Sequence, residues 1–361
     1  MISCDGLGHG GVQNVMMNIV RNMKNDYHFN MLLFTEERRY YDDEFENYGK
    51  IFRMNGFGKY GSLLSKLDYY VRAPRIYKFV KEVIESSGPY DIIHCNNNLQ
   101  SAPCLKAAYD MKIPVRISHF HGLNSKDPIT KVYNTLWKKI SINYILKYAT
   151  DIIACSKASA DSYFGAERCK VICNAIDLNK FNLQKYKSEK EPYSFIHVGS
   201  FSETKNQRFI VEIFAHIKEK FPAATLKLVG WSVDNYINLV KETAVKYNVL
   251  NSIKFLPHDS DIPMLFSKSK YMIFPSKSEG FGIVVVEAQA MGVKCFISDA
   301  VSMEADAGLC TQIPLNYTSE EWANIIIDST LQQNFQAKNI NDFSMSKYIS
   351  KIKKVYENGE K

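Results

Sequence analysis

The sequence predicts an α/β protein with two doubly wound parallel sheets in tandem, and three observations carry that prediction. Short apolar runs rich in β-branched residues alternate with helical patterns along the chain. The alternation breaks once, at the polar, lysine-rich stretch LQKYKSEKEP (183–192), and then restarts. At 361 residues the chain also exceeds the usual span of one domain.

The elements follow in order. Residues 1–4 (MISC) are the only apolar run before the glycine-rich GLGHGG at 6–11, and they are short for a strand. Val12, Val15, Met16, Ile19, Val20 and Met23 then recur at helical spacing. Further strands are predicted at 29–34 (FNMLLF), 91–95 (DIIHC), 115–119 (VRISH), 151–155 (DIIAC) and 170–173 (KVIC), with helices at 74–86 and 129–148. After the polar interruption, strands are predicted at 194–198 (SFIHV), 225–229 (TLKLV), 253–256 (IKFL), 271–274 (YMIF) and 294–297 (KCFI). Two such sheets place ligands at the carboxyl ends of their strands, in the crevice between domains.

Composition narrows the function classes. The hydrophobic fraction of 46% supports ordinary packed cores. Eight scattered cysteines without a C-x-x-C pair fit buried thiols of a reducing compartment. No apolar run reaches the roughly 18 residues of a membrane span, and no basic segment precedes an apolar one at the start, so a cytoplasmic protein is expected. A net charge of +7 suits anionic ligands or an anionic membrane surface and falls short of a nucleic-acid signature.

GLGHGG reads literally as G-x-G-x-x-G. A dinucleotide site also needs a full preceding strand and an acidic residue about 20 positions on, and neither is secure here. Three readings stay open on these residues alone: a dinucleotide turn, a plain glycine turn, and the phosphate or sugar loop of another enzyme class. The more informative segment is FPSKSEGFGIVVVEAQAMGVKCFISD (274–299). A strand runs into a loop with Glu279, Gly280, Phe281 and Gly282, and a helix follows that carries Glu287 before Gly292 stops it. Backbone amides of a glycine loop feeding a helix attract phosphate. A carboxylate accepts hydrogen bonds from a vicinal diol, so two glutamates flanking a diphosphate can grip a sugar on one side and a ribose on the other. Eight residues at about 1.5 Å each bound their separation at about 12 Å. The alternative is a solvated Glu279 and an ion-paired Glu287.

E-G-F-G-x-x-x-x-E, with Pro275-Ser276 shortly before, resembles the E-x7-E motif of retaining glycosyltransferases of family 4, which have the GT-B fold of two Rossmann-like domains facing each other across a cleft. The resemblance covers nearly the whole chain and is nearest to enzymes of bacterial capsular and exopolysaccharide assembly. Gly10-Gly11-Val12-Gln13 resembles that family's N-terminal glycine loop, which approaches the donor diphosphate. His121 in SHFHG resembles its N-domain histidine near the transferred sugar, Asn174-Ala175-Ile176-Asp177 its N-G-I-D segment, and GSFSETK (199–205) its G-R-x-x-x-x-K loop. The resemblance implies catalytic roles for His121, Lys205 and Glu279. It implies donor binding by Gly10, Gly11, Ser200, Lys205, Gly230, His258, Glu279, Gly280, Phe281, Gly282, Ile283 and Glu287, with no metal and no cofactor beyond a UDP- or GDP-linked sugar substrate. The implied partners are that donor and a saccharide or polyprenyl-diphosphate-linked acceptor at the inner face of the cytoplasmic membrane, and no nucleic acid.

On this reading residues 1–182 form the acceptor-side domain, 183–192 a linker, 193–338 the nucleotide-sugar domain, and 339–361 a last helix crossing back to the first domain. The implied activity is transfer of a hexose with retention, in polysaccharide biosynthesis; the alternatives are a GT-B nucleotide-sugar hydrolase or epimerase, and a non-catalytic partner subunit. The chain departs from the family pattern in three places. Ser200 stands where an arginine usually neutralises the diphosphate, and Ala175 replaces the glycine of N-G-I-D. Most of the usual first strand is missing, so either the sequence starts at an internal methionine or the first sheet has an abbreviated central strand.

Other constellations rank lower. Asp259-Ser260-Asp261 matches a D-x-D pattern but is better read as a polar loop, since hard cations need further oxygen ligands. His94, His119 and His197 are expected to be packed core histidines. The stretches 69–81 (YYVRAPRIYKFVK) and 131–147 (KVYNTLWKKISINYILK) mix aromatics with basic residues. In the second, Val132, Leu136, Ile140, Tyr144 and Ile145 suggest an apolar face flanked by lysines. It is read either as an interfacial helix on anionic lipid or as an ordinary surface helix.

Overall fold

Both stretches of alternation form all-parallel sheets. The computed structural model describes residues 1–54, 68–123, 131–186, 189–330 and 337–357. It divides into two compact units, Met1–Asn174 with Ser346–Lys361, and Ala175–Met345.

The first unit holds β1 (Ile2–Cys4), β2 (Met31–Leu33), β3 (Ile51–Arg53), β4 (Ile92–Cys95), β5 (Val115–Phe120), β6 (Asp151–Ala154) and β7 (Lys170–Val171), in the order β3-β2-β1-β4-β5-β6-β7. The three-residue β1 is central: Ile2 pairs with Met31 on one side and His94 on the other. The helix Gly11–Met23 buries Val15, Met16, Ile19, Val20 and Met23, the apolar stripe that its spacing predicts. The helix Asp68–Ser87 starts earlier than predicted and carries Pro74 in its second turn, where the ring removes one backbone donor.

The second unit holds β8 (Ser194–Val198), β9 (Thr225–Val229), β10 (Ile253–Leu256), β11 (Tyr271–Phe274), β12 (Lys294–Ser298) and β13 (Cys310–Ile313), ordered β10-β9-β8-β11-β12-β13. Its core gathers Phe195, Phe214, Phe296 and Trp322, all fully buried. The Trp322 indole N–H donates to the Pro314 carbonyl at 3.0 Å, so burying this large side chain strands no polar atom.

The predicted linker at 183–192 lies inside the second unit. Its polarity is spent on anchoring: Lys190 Nζ donates to the carbonyls of Phe266 (3.0 Å) and Ser269 (2.7 Å), and the Glu191 amide donates to Lys268 O at 3.2 Å. Burial pushes the Lys190 pKa down to about 8. The last helix, Met345–Glu357, packs with the unit that begins the chain and buries Tyr348, Ile349, Ile352, Val355 and Tyr356.

Candidate functional site

In each sheet the strand order reverses at one place, between β1 and β4 and between β8 and β11, and in open α/β sheets ligands bind beside the carboxyl ends of such strands. In the second unit, β8 leads into Gly199–Lys205 and β11 into Pro275–Gly282. Gly230 ends β9 so close to this loop that a Cβ there would lie 2.1 Å from Gly199 O. Only glycine fits, and Phe201 N to Trp231 O (2.7 Å) and Val233 N to Phe201 O (3.0 Å) stitch the two loops together.

The loops from β8 and β11 meet through an ion pair between Lys205 Nζ and Glu279 Oε2. Both side chains are mostly buried, and Lys205 also sits 5.2 Å from the Phe274 ring centroid. Asn206 follows in a left-handed conformation (φ 62°) and starts the helix Gln207–Lys220; its amide donates to Pro275 O at 3.3 Å. The Ser200 carbonyl accepts from Gln207 Nε2 at 2.8 Å.

Gly282 (φ 88°) takes a left-handed turn that favours glycine and leads into the helix Ile283–Ala290. No side chain caps this helix and no acidic residue occupies its first turn, so its amino end is suited to an anion. Phe281 is buried, 6.2 Å ring to ring from Phe343, and pins the loop. Glu287 lies one turn further on and is half-buried. Burial pushes its pKa up to about 7, with the Lys180 charge opposing. It shares no hydrogen bond with the Lys205–Glu279 pair among the described residues. A carboxyl group that is part protonated near neutrality is suited to hydroxyl ligands.

In the first unit, Gly10 takes an extended conformation (φ −117°) at the start of the helix Gly11–Met23, again with no side-chain cap. No glycine of GLGHGG has positive φ, so what these residues supply is room: Gly10 and Gly11 are exposed. His121 follows β5 directly. Its Nε2 bonds Asn96 Oδ1 at 2.8 Å, and its backbone amide reaches Asn98 Oδ1 at 3.4 Å. Beneath it lie His119, with ring centroids 4.0 Å apart, and His94, whose Nε2 is 3.1 Å from His119 Nδ1. His94 Nδ1 meets Tyr356 Oη at 2.9 Å. Burial pushes the pKa of His121 and of His94 down to about 3, and that of His119 well down.

As expected, His94, His119 and His197 are fully buried, and His197 Nδ1 donates to Ile273 O at 3.0 Å. His258 stands exposed in the turn after β10. Asp261 caps the helix Ile262–Lys268 through the Met264 amide (3.0 Å), which accounts for the second aspartate of the D-x-D pattern. Ala175 avoids the left-handed region, so its turn does not need the family glycine. Among the described residues no group of three or more His, Cys, Asp or Glu side chains is placed to hold a metal. Sequence reasoning missed Asn96, Asn98 and Lys180, which carry no periodic signal.

The helix Lys131–Tyr148 leaves Leu136 57% and Tyr144 38% exposed while Ile145 is buried, so the expected apolar face divides. The side chain of Val132 and residues 129–130 lie outside the described residues. An apolar groove of about 410 Å³ runs beside this helix, lined by Pro74, Tyr77, Pro103, Trp137, Ile140 and Tyr144 among others. No described helix is long and apolar enough to cross a membrane.

Residues 9–180 match the family described as Glycosyltransferase Family 4, and residues 179–307 match Glycosyl transferases group 1. The Bacillus subtilis protein EpsF is 30% identical over 346 residues, spanning 89% of this chain and 85% of EpsF. The capsular polysaccharide biosynthesis glycosyltransferase CapH of Staphylococcus aureus is 22% identical, over 97% of this chain and 96% of its own. Among solved structures, Anabaena Alr3699/HepE in complex with UDP and glucose has the same fold, with a TM-score of 0.77, 22% identity and coverage of 99% and 98%.

Proposed function

Because the chain belongs to the family 4 glycosyltransferases, with their GT-B fold and with relatives in polysaccharide biosynthesis, we propose that it transfers a hexose from a UDP-linked sugar to a saccharide acceptor, with retention. The observation that carries this reading is the loop pair at the reversal of the second sheet, where Lys205, Glu279 and the uncapped helix at Gly282 converge. The hard step is departure of the nucleoside diphosphate as positive charge grows on the sugar ring, and prepositioned donors stabilise that leaving group. Lys205 and the amides from Gly280 onward take that role. Glu279 orients the sugar hydroxyls and Glu287 the ribose. In the first unit, Gly10 and Gly11 leave backbone room for phosphate and His121 serves the reacting sugar. Retention follows from same-face attack by the acceptor hydroxyl, as the family resemblance implies. The UDP-bound relative supports uridine over guanosine as the base.

The test is release of nucleoside diphosphate from a panel of UDP- and GDP-hexoses, with and without a polyprenyl-diphosphate saccharide. Turnover with a UDP-hexose that rises with acceptor and persists in excess chelator is expected. Release equal with and without acceptor would favour the hydrolase alternative, and activity lost to chelator and restored by magnesium or manganese would refute the metal-free account.

The acceptor is proposed to be lipid-linked and the protein to sit on the cytoplasmic membrane face through the helix Lys131–Tyr148. Exposed Leu136 and Tyr144 beside Lys138, Lys139 and Lys147 support this. Preferential recovery on anionic over neutral vesicles at low salt is expected; equal recovery would count against it.

A further inference from the structure

We infer that Asn96 is a positioning residue that locks His121 in the Nε2–H tautomer, so that Nδ1 presents a bare lone pair to a hydroxyl group of the bound saccharide. The inference rests on the function proposed above for the identity of the ligand, but the tautomer itself follows from the first unit alone.

The Asn96 amide has one orientation. Its Nδ2 donates to the His94 carbonyl at 3.3 Å, and a carbonyl can only accept, so Oδ1 must face His121. Oδ1 in turn can only accept, so the 2.8 Å contact requires a proton on His121 Nε2. The ring carries no second proton: it is desolvated, and its pKa is pushed down to about 3. Nδ1 is then unprotonated, and among the described residues this buried atom has no hydrogen-bond partner.

A buried acceptor left empty is costly unless a ligand fills it; beneath it His119 Nε2 is likewise buried without a partner among the described residues, but it lies deeper, within β5, whereas His121 directly follows that strand. The neighbouring bonds show how closely the ring is held. Asn98 Oδ1 takes the His121 backbone amide, while Asn97 Oδ1 accepts from Ser3 Oγ at 2.8 Å and Asn97 Nδ2 donates to Asp5 Oδ1 at 3.0 Å. The three consecutive asparagines after β4 thus tie the carboxyl ends of β5 and β1 to the end of β4. A neutral acceptor selects a hydroxyl donor and gives nothing to an anion, which separates the role of His121 from that of the cationic Lys205.

The test is nitrogen NMR on histidine-labelled full-length protein, with His121 assigned through His121→Gln. The wild-type ring is expected to show Nε2 protonated and Nδ1 bare, and the Nδ1 resonance should move on adding a UDP-hexose but not UDP alone. A protonated Nδ1, or an Nδ1 resonance indifferent to a UDP-hexose that calorimetry shows to be bound, would overturn the inference. If no UDP-hexose binds at all, the proposed function fails, while the tautomer is still decided by the wild-type spectrum.

The near-isosteric Asn96→Asp gives an independent readout. A carboxylate at that position favours the imidazolium and turns Nδ1 into a donor. The titratable groups packed nearby are His119, His94 and Tyr356, with the Met1 ammonium acting on His94. With these unchanged, kcat at neutral pH should fall roughly tenfold or more and recover as pH rises and the ring loses its proton, with KM for the donor little changed. A pH profile identical to wild type would count against the assignment.

Discussion

The two units solve the same problem, holding polar groups at the reversal of a buried sheet, in opposite ways. The first uses neutral groups: three adjoining imidazoles, with hydrogen bonds between His94 and His119, between His94 and Tyr356, and between His121 and Asn96. The second uses charge, with Lys205 and Glu279 neutralising each other and Glu287 held near the middle of its titration. The lesson is that a neutral network can hold its rings in place before ligand arrives, whereas an ion pair whose two groups both bind ligand, as proposed, must open to do so. On the proposed function, the diphosphate takes Lys205 from Glu279 and the sugar hydroxyls then donate to the freed carboxylate.

The largest expected effect separates the glutamates. A hydrogen bond to a charged group is worth roughly 1.5–3 kcal/mol, about one to two orders of magnitude. Glu279→Gln should lower turnover by about that much and leave UDP affinity nearly intact, because Glu279 is assigned to the transferred sugar. Glu287→Gln should weaken UDP and donor alike by about tenfold with a smaller change in turnover. Calorimetry with bare UDP beside steady-state kinetics decides between them, and the reverse pattern would show that the donor lies the other way along the loop and helix.

A smaller effect contrasts the units by pH. His94 and His121 have pKa values of about 3 against an ordinary 6.5, and His119 is lowered too, so their contribution to stability is fully present above about pH 6.5 and is lost as pH falls. Asp5, raised by burial, opposes them. In the second unit His197 behaves likewise, but Glu287, raised to about 7 from 4.5, stabilises below about pH 4.5 and loses that contribution as pH rises through 7. Between pH 6.5 and 4.5 the first unit should therefore lose more protection than the second, read by hydrogen exchange with mass spectrometry after correction for the intrinsic rate. Glu287→Gln should remove the compensation and make the second unit acid-sensitive as well. Equal loss in both units of the wild type would break the contrast.

Long or strongly patterned elements were legible in the sequence, as was the loop around Glu279, because periodicity and glycine loops leave local marks; Lys205 was reached only through the family resemblance. β3 and β13 were not: Ile51–Arg53 is a three-residue edge strand, and Cys310–Ile313 alternates too briefly to stand out. The stretch 183–192 misled because polarity marks solvent in most linkers, whereas here Lys190 finds buried carbonyls. Asn96 was illegible for a different reason. Its role is set by a histidine 25 positions away that only the β4–β5 pairing brings near, and β-sheet register is invisible to any local window.

The return of the last helix to the first unit makes residues 175–345 an insertion within that unit's sequence. On a ribosome adding about 5–20 residues per second, the first unit then waits on the order of 10–30 seconds for its own closing helix while the second is synthesised. Through that interval it lacks the buried Tyr348, Ile352, Val355 and Tyr356, so His94 is without its phenol and Tyr27 without the ring it packs against. The nascent chain is thus most open to chaperones and proteases at its oldest part, and the unit made last in sequence is the one able to finish first.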